Sequence, residues 1–378
     1  MTVVEPTASP ESLTGAAVRQ ASRAPFRADI NGLRAVSVLA VIVFHFAPRL
    51  APGGFAGVDV FFVISGFLIT RIVAARLERG RFAYGPFMGE RARRIVPALA
   101  CMCAVVLLLG STVLDPWAFE RLAGSIPPAL FFVSNIIYAL RTGYFSPAAA
   151  NDWMTHTWSL SVEGQFYLAY PIVVAALGRA AGFRRHPAAC LAGLGVLVFA
   201  LGVAAPERWR SWEFYLASSR SWEFFAGGAC AFAAPGLRLT HLQRQGLHAG
   251  GLALIGAGFA LLAPDTSWPA PASALPVVGA ALVLLAGVEA PAWASLAPVR
   301  RIGLSSYSAY LWHWPLAVAL RYWGVAFTRQ SSRWASRPLS SSAWPRTSWW
   351  NSRRRGSSCA CPATGAPLSA PPRRFSWR

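Results

Sequence analysis

Apolar residues in this chain are gathered into long runs separated by polar punctuation. The runs lie near 33–48, 57–75, 95–114, 126–140, 165–178, 188–205, 222–236, 247–263, 273–290 and 304–324. Their length and apolarity predict membrane helices, although several fall short of the ~20 residues a spanning helix needs, which leaves their ends soft. No internal repeat is visible, and the linkers are too short for a separate soluble domain. The expected fold class is all-α, a polytopic transmembrane helical bundle of about 9–10 membrane helices plus one re-entrant segment.

Arginine placement sets the orientation, because short cytoplasmic loops carry the excess of basic residues. Arg19, Arg23 and Arg27 precede the first run, and Arg71, Arg76, Arg79, Arg81, Arg91, Arg93 and Arg94 follow the second. Both segments should be cytoplasmic, as should the loop with Arg179, Arg184 and Arg185. Counting every run as a crossing puts that last loop outside. The conflict disappears if 126–140, which opens on Ile126-Pro127-Pro128, enters and leaves on one side, as buried re-entrant segments can. The Arg238/Arg244 and Arg300/Arg301 loops then also fall inside, and the Asp265 loop outside. Nine crossings precede residue 325, and His45, Asp59 and 151–165 lie toward the outer face.

Composition agrees with this picture. Of 378 residues, 55% are hydrophobic and 13% charged, with mean hydropathy +0.42, where soluble domains are about 25% charged. The expected location is a bacterial cell membrane, as a multi-pass integral protein. The first run follows polar residues that include Glu5, Glu11 and Asp29, so it is not expected to be a cleaved signal peptide. All 35 Lys/Arg positions are Arg, which suggests a GC-rich coding sequence. Cys101, Cys103, Cys190 and Cys230 sit in apolar runs, and Cys359 and Cys361 in the tail; neither a zinc pattern nor a disulfide framework follows from them.

The net charge of +20 is unevenly placed. Residues 326–378 hold ten Arg and no acid, and the chain turns there from apolar to Arg/Ser/Pro/Trp-rich. The expected division is a disordered cytoplasmic N-terminus at 1–28, a membrane domain at 29–325, and a disordered tail at 326–378. The genetic code offers a clue to the tail. Trp349-Trp350-Asn351 requires TGG TGG AAY, which one base earlier reads as Leu/Met/Val-Val-Glu, pointing to a frameshift that replaced a last span. A basic tail for anionic lipid or nucleic acid is the competing account; no nucleic-acid partner is expected.

Four stretches carry ionisable groups. GLRAVSVLAVIVFH (32–45) places Arg34 and His45 eleven residues apart, so at ~100° per residue they share a helix face about 16 Å apart. GGFAGVDVFFVISGFLIT (53–70) puts Asp59 at a helix mouth, ERARRIVPAL (90–99) sets three Arg before the third run, and HTWSLSVEGQFYLAYP (156–171) carries Glu163. Singly, each has an ordinary explanation as a helix-end charge or a topology marker. GGFAG lacks the Lys-Ser/Thr ending of a phosphate loop.

In combination these stretches resemble the acyltransferase 3 family of membrane proteins, of the O-antigen/exopolysaccharide O-acetyltransferase kind. The resemblance runs over about 26–325: the R-x10-H pair Arg34/His45, the GGFxGVDVFFVISGFLIT run, the R-x-x-R element Arg91/Arg94 and WSLSVEGQFY, then SSRSWEFFAGG (218–228) and IGLSSYSAYLWHWPL (302–316). At Gly164 many relatives have a second acid, which puts a paired-carboxylate mechanism in doubt here.

The resemblance implies transfer of an acyl group, usually acetyl, from acyl-CoA to a hydroxyl of a glycan or glycoconjugate, with acyl-CoA as donor substrate, membrane lipid as surroundings and no metal. Such transfer needs a base near neutral pH, and His45 is the candidate. A carboxylate could orient its imidazole, with Asp59 or Glu163 equally eligible. Arg34, Arg91 and Arg94 suit the donor's phosphates. Other outcomes stay open: acylation of a small secondary metabolite or lipid, or a transporter with midplane polar residues. His313, in LWHWP, suits hydrogen-bonded packing as well as catalysis. Trp158, Tyr167, Trp222 and Trp314 are expected in interfacial belts, and His156, Arg220 and Glu223 in structural pairs. Nothing in the sequence sets the oligomeric state.

Overall fold

The computed structural model describes residues 26–324, apart from 142, 143, 145 and 267. The N-terminal segment before residue 26 and the tail at 326–378, with its frameshift, lie outside the described residues. The first helix already begins at Ala28.

Helices carry the fold, and no strand occurs among the described residues. In chain order they are α1 (Ala28–Phe46), α2 (Gly57–Glu78), α3 (Tyr84–Val113), α4 (Pro116–Leu130), α5 (Ser134–Arg141), α6 (Thr157–Leu177), α7 (Pro187–Ala204), α8 (Ser221–Ala233), α9 (His241–Leu261), α10 (Ala274–Ala286) and α11 (Ala297–Tyr322), joined by single-turn helices and loops. By length and composition, α1, α2 with the turn from Gly54, α3, α6 and α7 are each able to cross a bilayer. The helices α8 and α10 have 13 residues each, about 20 Å. Both α9 and α11 are longer but open on polar turns containing Arg244 and Arg300/Arg301. The chain is a multi-pass integral membrane protein built as an all-α bundle.

Side-chain contacts fix the helix directions. Ser65 meets Glu163 and Thr70 meets Tyr170, so residue numbers rise together and α2 runs parallel to α6. Parallel alignment also holds for α2 and α8, through Asp59–Arg220 and the approach of Gly228 to Thr70, and for α1 and α11, through Asn31 to the Arg300 carbonyl and His45 to His313. Between α2 and α6 the chain must therefore cross once, and α3 does so. Hence α4 and α5 together return the chain to the side it left.

The apolar run at 126–140 is accordingly not one helix but the end of α4 and all of α5, broken at 131–133. Phe132 there has φ 56°. Gln165 of α6 donates to the Phe132 carbonyl at 2.9 Å and to Asn135 Oδ1 at 2.8 Å, and Asn135 donates to the Tyr215 carbonyl at 3.1 Å. Protein groups thus satisfy backbone that lipid could not. At the start of α4 the Asp115 carboxylate accepts from the N–H groups of Ala118 and Trp117, both at 3.0 Å. These bonds hold its pKa below the ordinary carboxylate value.

Lipid tails are as apolar as the side chains they would replace, so close packing holds these helices together. A methyl group added at Gly66 would strike the Phe224 carbonyl, and one at Gly227 the Val63 carbonyl, so α2 and α8 touch backbone to backbone. The same holds for α9 and α10, where a Cβ at Gly251 or Gly279 would lie 2.6 Å from the other residue's carbonyl oxygen. Trp158, Tyr167, Trp222 and Trp314 are buried against protein rather than set in interfacial belts.

Candidate active site

Four of the six residues singled out from the sequence line one cleft. Arg34 of α1, Arg91 and Arg94 of α3, and Glu163 of α6 surround a cavity of about 110 Å³, closed by Phe61 and Ser65 of α2 and by Tyr307 and Tyr310 of α11. The three-residue spacing of Arg91 and Arg94 puts both on one face of α3. Arg34 feels the positive charge of Arg94 and the negative charge of Glu163.

The nearest acid in sequence does not neutralise this cluster. Glu90 is held by Arg76 at 2.8 and 3.1 Å, and Arg91 approaches it only to 4.0 Å. Arg91 Nε is buried without a hydrogen-bond partner, and its guanidinium carbon lies 5.8 Å from the centroid of the Phe87 ring. Glu163 accepts from Ser65 Oγ at 2.5 Å and from the Tyr167 hydroxyl. One carboxylate oxygen takes both bonds, which fixes it on the cleft wall.

His45 lies away from this group, at the other end of α1's shared face. Its Nδ1 is 3.1 Å from His313 Nε2, and its Nε2 is 3.2 Å from the Tyr144 hydroxyl. His313 Nδ1 in turn lies 2.6 Å from the Tyr310 carbonyl, and the Trp314 ring packs edge-on at 4.7 Å from the His45 centroid. The imidazole therefore faces protein. Tyr310 belongs to both groups, since its side chain lines the cleft and its carbonyl holds His313.

Neither carboxylate considered as a partner for His45 hydrogen-bonds to it. Glu163 is on the arginine cleft. Asp59 is buried in an ion cluster: its Oδ1 is 2.7 Å from Arg220 Nη2, and Arg220 Nη1 is 3.0 Å from Glu223 Oε1. The Arg220 guanidinium also sits among the rings of Trp268, Trp158, Phe214 and Phe62, at 4.8 to 5.6 Å from their centroids. Arg220 and Glu223 are thus structural partners, as expected, and Asp59 joins them.

Sequence reasoning gave His313 no preferred role and passed over Tyr144. The available signal for His313 was a lone imidazole in the apolar stretch LWHWP. Tyr144 lies in a loop without periodicity, so no signal pointed to it. Among the described residues no group of three or more His, Cys, Asp or Glu is disposed to hold a metal ion.

Comparisons with known proteins identify the family. The acyltransferase domain of the acyltransferase 3 family matches residues 27–350. The chain is 31% identical over 305 residues to peptidoglycan O-acetyltransferase OatA of Listeria monocytogenes, covering 76% of this chain and 49% of that protein. It is 33% identical over 303 residues to a protein of Komagataeibacter xylinus named as membrane-bound transacylase BcsY, covering 78% and 74%. To O-acetyltransferase OatA of Staphylococcus aureus it is 28% identical over 308 residues, covering 76% and 50%. The chain thus spans about half the length of the OatA relatives and three quarters of BcsY. No solved structure matches. With a family match across most of its length and this helical site in place, the chain belongs to the acyltransferase 3 family of membrane acyltransferases.

Proposed function

We propose that the chain moves an acetyl group from acetyl-CoA to a hydroxyl of a cell-surface glycan or glycoconjugate. The supporting observation is the continuity of two groups through Tyr310: an arginine-lined cleft suited to the donor and an imidazole pair suited to proton transfer. Two of the relatives also bear the name O-acetyltransferase.

Arg34, Arg91 and Arg94 bind the donor's phosphate oxygens, for which planar guanidinium forks are well matched. The buried, unpartnered Arg91 Nε supplies a donor that nothing in the protein uses. Glu163 holds Ser65 and Tyr167 at the cleft wall and sets a negative charge near Arg34, a positioning role. The cleft is narrow enough to favour the thin pantetheine arm, which extends toward the outer end of α1.

Hydrogen-bond logic fixes the state of His45. A carbonyl can only accept, so His313 Nδ1 carries a proton toward Tyr310. The neutral His313 then has a lone pair on Nε2 and accepts from His45 Nδ1–H. His45 Nε2 is left as the basic atom, facing Tyr144. It takes the proton of the attacking hydroxyl as the new C–O bond forms and the thioester C–S bond breaks, and then returns the proton to the departing coenzyme A thiolate. His313 holds the imidazole, the role considered for a carboxylate. Asp59 supports α2 and α8 behind the cleft through Arg220.

Membranes containing the protein are expected to release free coenzyme A from acetyl-CoA only when a saccharide acceptor is present. His45→Ala should abolish that release while leaving the protein inserted and folded. Near-normal release by His45→Ala would overturn the assignment of the base.

A further inference from the structure

A second cleft, of about 360 Å³, lies among α4, α5 and the turn before α6. Its walls include Trp117, Glu120 and Arg121 of α4, Tyr138 and Arg141 of α5, and Asp152 in the turn before α6. The Asp152 carboxylate is fixed there, accepting from the Tyr138 hydroxyl and the Met154 N–H, each at 2.9 Å. The guanidinium of Arg121 lies 4.8 Å from the centroid of the Trp117 ring, which is itself 66% exposed.

This cleft is one aromatic ring away from His45. Trp314, which packs on the His45 imidazole, donates its indole N–H to the Asp152 carbonyl at 2.9 Å. One helix, α11, thus carries Tyr310 in the arginine cleft, then His313, then Trp314, whose indole is bonded to the turn that lines the second cleft.

The lining selects a chemical class. Arginine only donates and ionised carboxylates only accept, whereas a hydroxyl does both. A wall that mixes two arginines, two carboxylates, a phenol and an exposed indole suits a polyol with an apolar ring face. A phosphate would meet Glu120 and Asp152 beside the arginines, and an acyl chain would meet polar walls. We infer that this second cleft, lined by α4, α5 and the turn at Asp152, receives a sugar ring of the acceptor. This inference rests on the acyl transfer to glycans proposed above, with His45 between donor and acceptor.

The test uses Gly124, which lines the cleft and whose missing Cβ would point into open space. Gly124→Cys is made in the full chain with Cys101, Cys190, Cys359 and Cys361 replaced by serine; Cys103 and Cys230 are buried. Labelling by a bulky, membrane-impermeant maleimide is followed with and without chitotetraose or cellotetraose. One of these saccharides is expected to slow labelling about fivefold or more, and labelling to remove saccharide-dependent release of coenzyme A. In a separate variant, Arg121→Ala, the KM for that saccharide should rise about tenfold with the KM for acetyl-CoA unchanged. Labelling indifferent to both saccharides overturns the cleft assignment. Protection from labelling by a protein that releases no coenzyme A with either saccharide supports the cleft and instead overturns the proposed transfer reaction.

Discussion

His313 Nε2 stands 3.1 Å from His45 Nδ1, and the Tyr310 carbonyl 2.6 Å from His313 Nδ1 decides which imidazole holds the proton between them. Replacing His313 by leucine removes the acceptor for His45 Nδ1–H, so His45 can adopt the other tautomer and lose its basic Nε2. His313→Leu is expected to lower kcat for acetyl transfer about a hundredfold or more, within the range for a misplaced general base. Glutamine can place its amide oxygen where His313 Nε2 stands and accept the same bond, so His313→Gln should retain more activity than His313→Leu. The KM for acetyl-CoA should be unchanged in both, because His313 does not line the arginine cleft. Steady-state kinetics on the two variants check the split.

Arg91 and Arg94 should act on donor binding rather than on chemistry. A charge-assisted hydrogen bond contributes about 1.5–3 kcal/mol, so losing one raises KM roughly ten- to a hundredfold. Arg91→Ala and Arg94→Ala are each expected to raise the KM for acetyl-CoA by that factor with kcat nearly constant. Lysine keeps the charge but not the fork, and Arg91→Lys should recover only part of the loss. Acetyl-pantetheine lacks the nucleotide phosphates, so its KM should be insensitive to all three substitutions. Parallel KM measurements with the two donors check this.

The parts of this site that were legible in the sequence are those set by local period or close spacing. Arg34 and His45 share a face because eleven residues make nearly three turns, and Arg91 and Arg94 because three residues make nearly one. The arginine loops predicted that the second run and the run at 165–178 cross in the same direction, and α2 and α6 do run parallel. What stayed hidden depends on pairings between distant positions. Asp59 is 161 residues from Arg220, and His45 is 268 from His313; no periodicity links either pair. A carboxylate beside the histidine was a reasonable chemical expectation, but helix packing spent Asp59 on Arg220 and put a second imidazole in its place. A reversal within 126–140 was legible from the arginine loops, but its position at 131–133 was not, because it depends on Gln165 and Asn135 supplying hydrogen bonds from elsewhere in the fold.

The ion cluster around Arg220 should be sensitive to the order in which its charges are removed. Arg220 is 2% exposed, Asp59 1% and Glu223 0%, so removing the guanidinium leaves two buried carboxylates with no cation. Breaking a buried pair in this way costs about 3–5 kcal/mol, and Arg220→Met is expected to lose that much. Asp59→Asn removes one of the two negative charges and leaves Arg220 with Glu223, so its cost should be smaller. If Asp59 acts only through packing, activity in Asp59→Asn should fall in step with the folded fraction rather than ahead of it. Thermal unfolding in detergent, compared with activity per folded molecule, checks both points.

Gly164 and Phe132 should be coupled, because a side chain after Glu163 would meet the Phe132 ring. A Cβ at position 164 would lie 2.7 Å from Phe132 Cδ1 and 3.0 Å from its Cγ. The ring cannot easily retreat, because Gln165 pins the Phe132 carbonyl at 2.9 Å and the residue already holds φ at 56°. Alanine in place of glycine inside a helix normally gains up to about 1 kcal/mol, whereas overpacking a fixed contact costs about 1–3 kcal/mol. Gly164→Ala alone is therefore expected to destabilise the protein, and Gly164→Glu more so. In a Phe132→Ala background the obstructing ring is gone, so the helix preference of alanine should prevail and Gly164→Ala should become neutral or stabilising. A double-mutant cycle on thermal stability is expected to give a coupling of about 1–3 kcal/mol; additive effects would mean that the turn at 131–133 yields freely, and that something other than Phe132 keeps position 164 small.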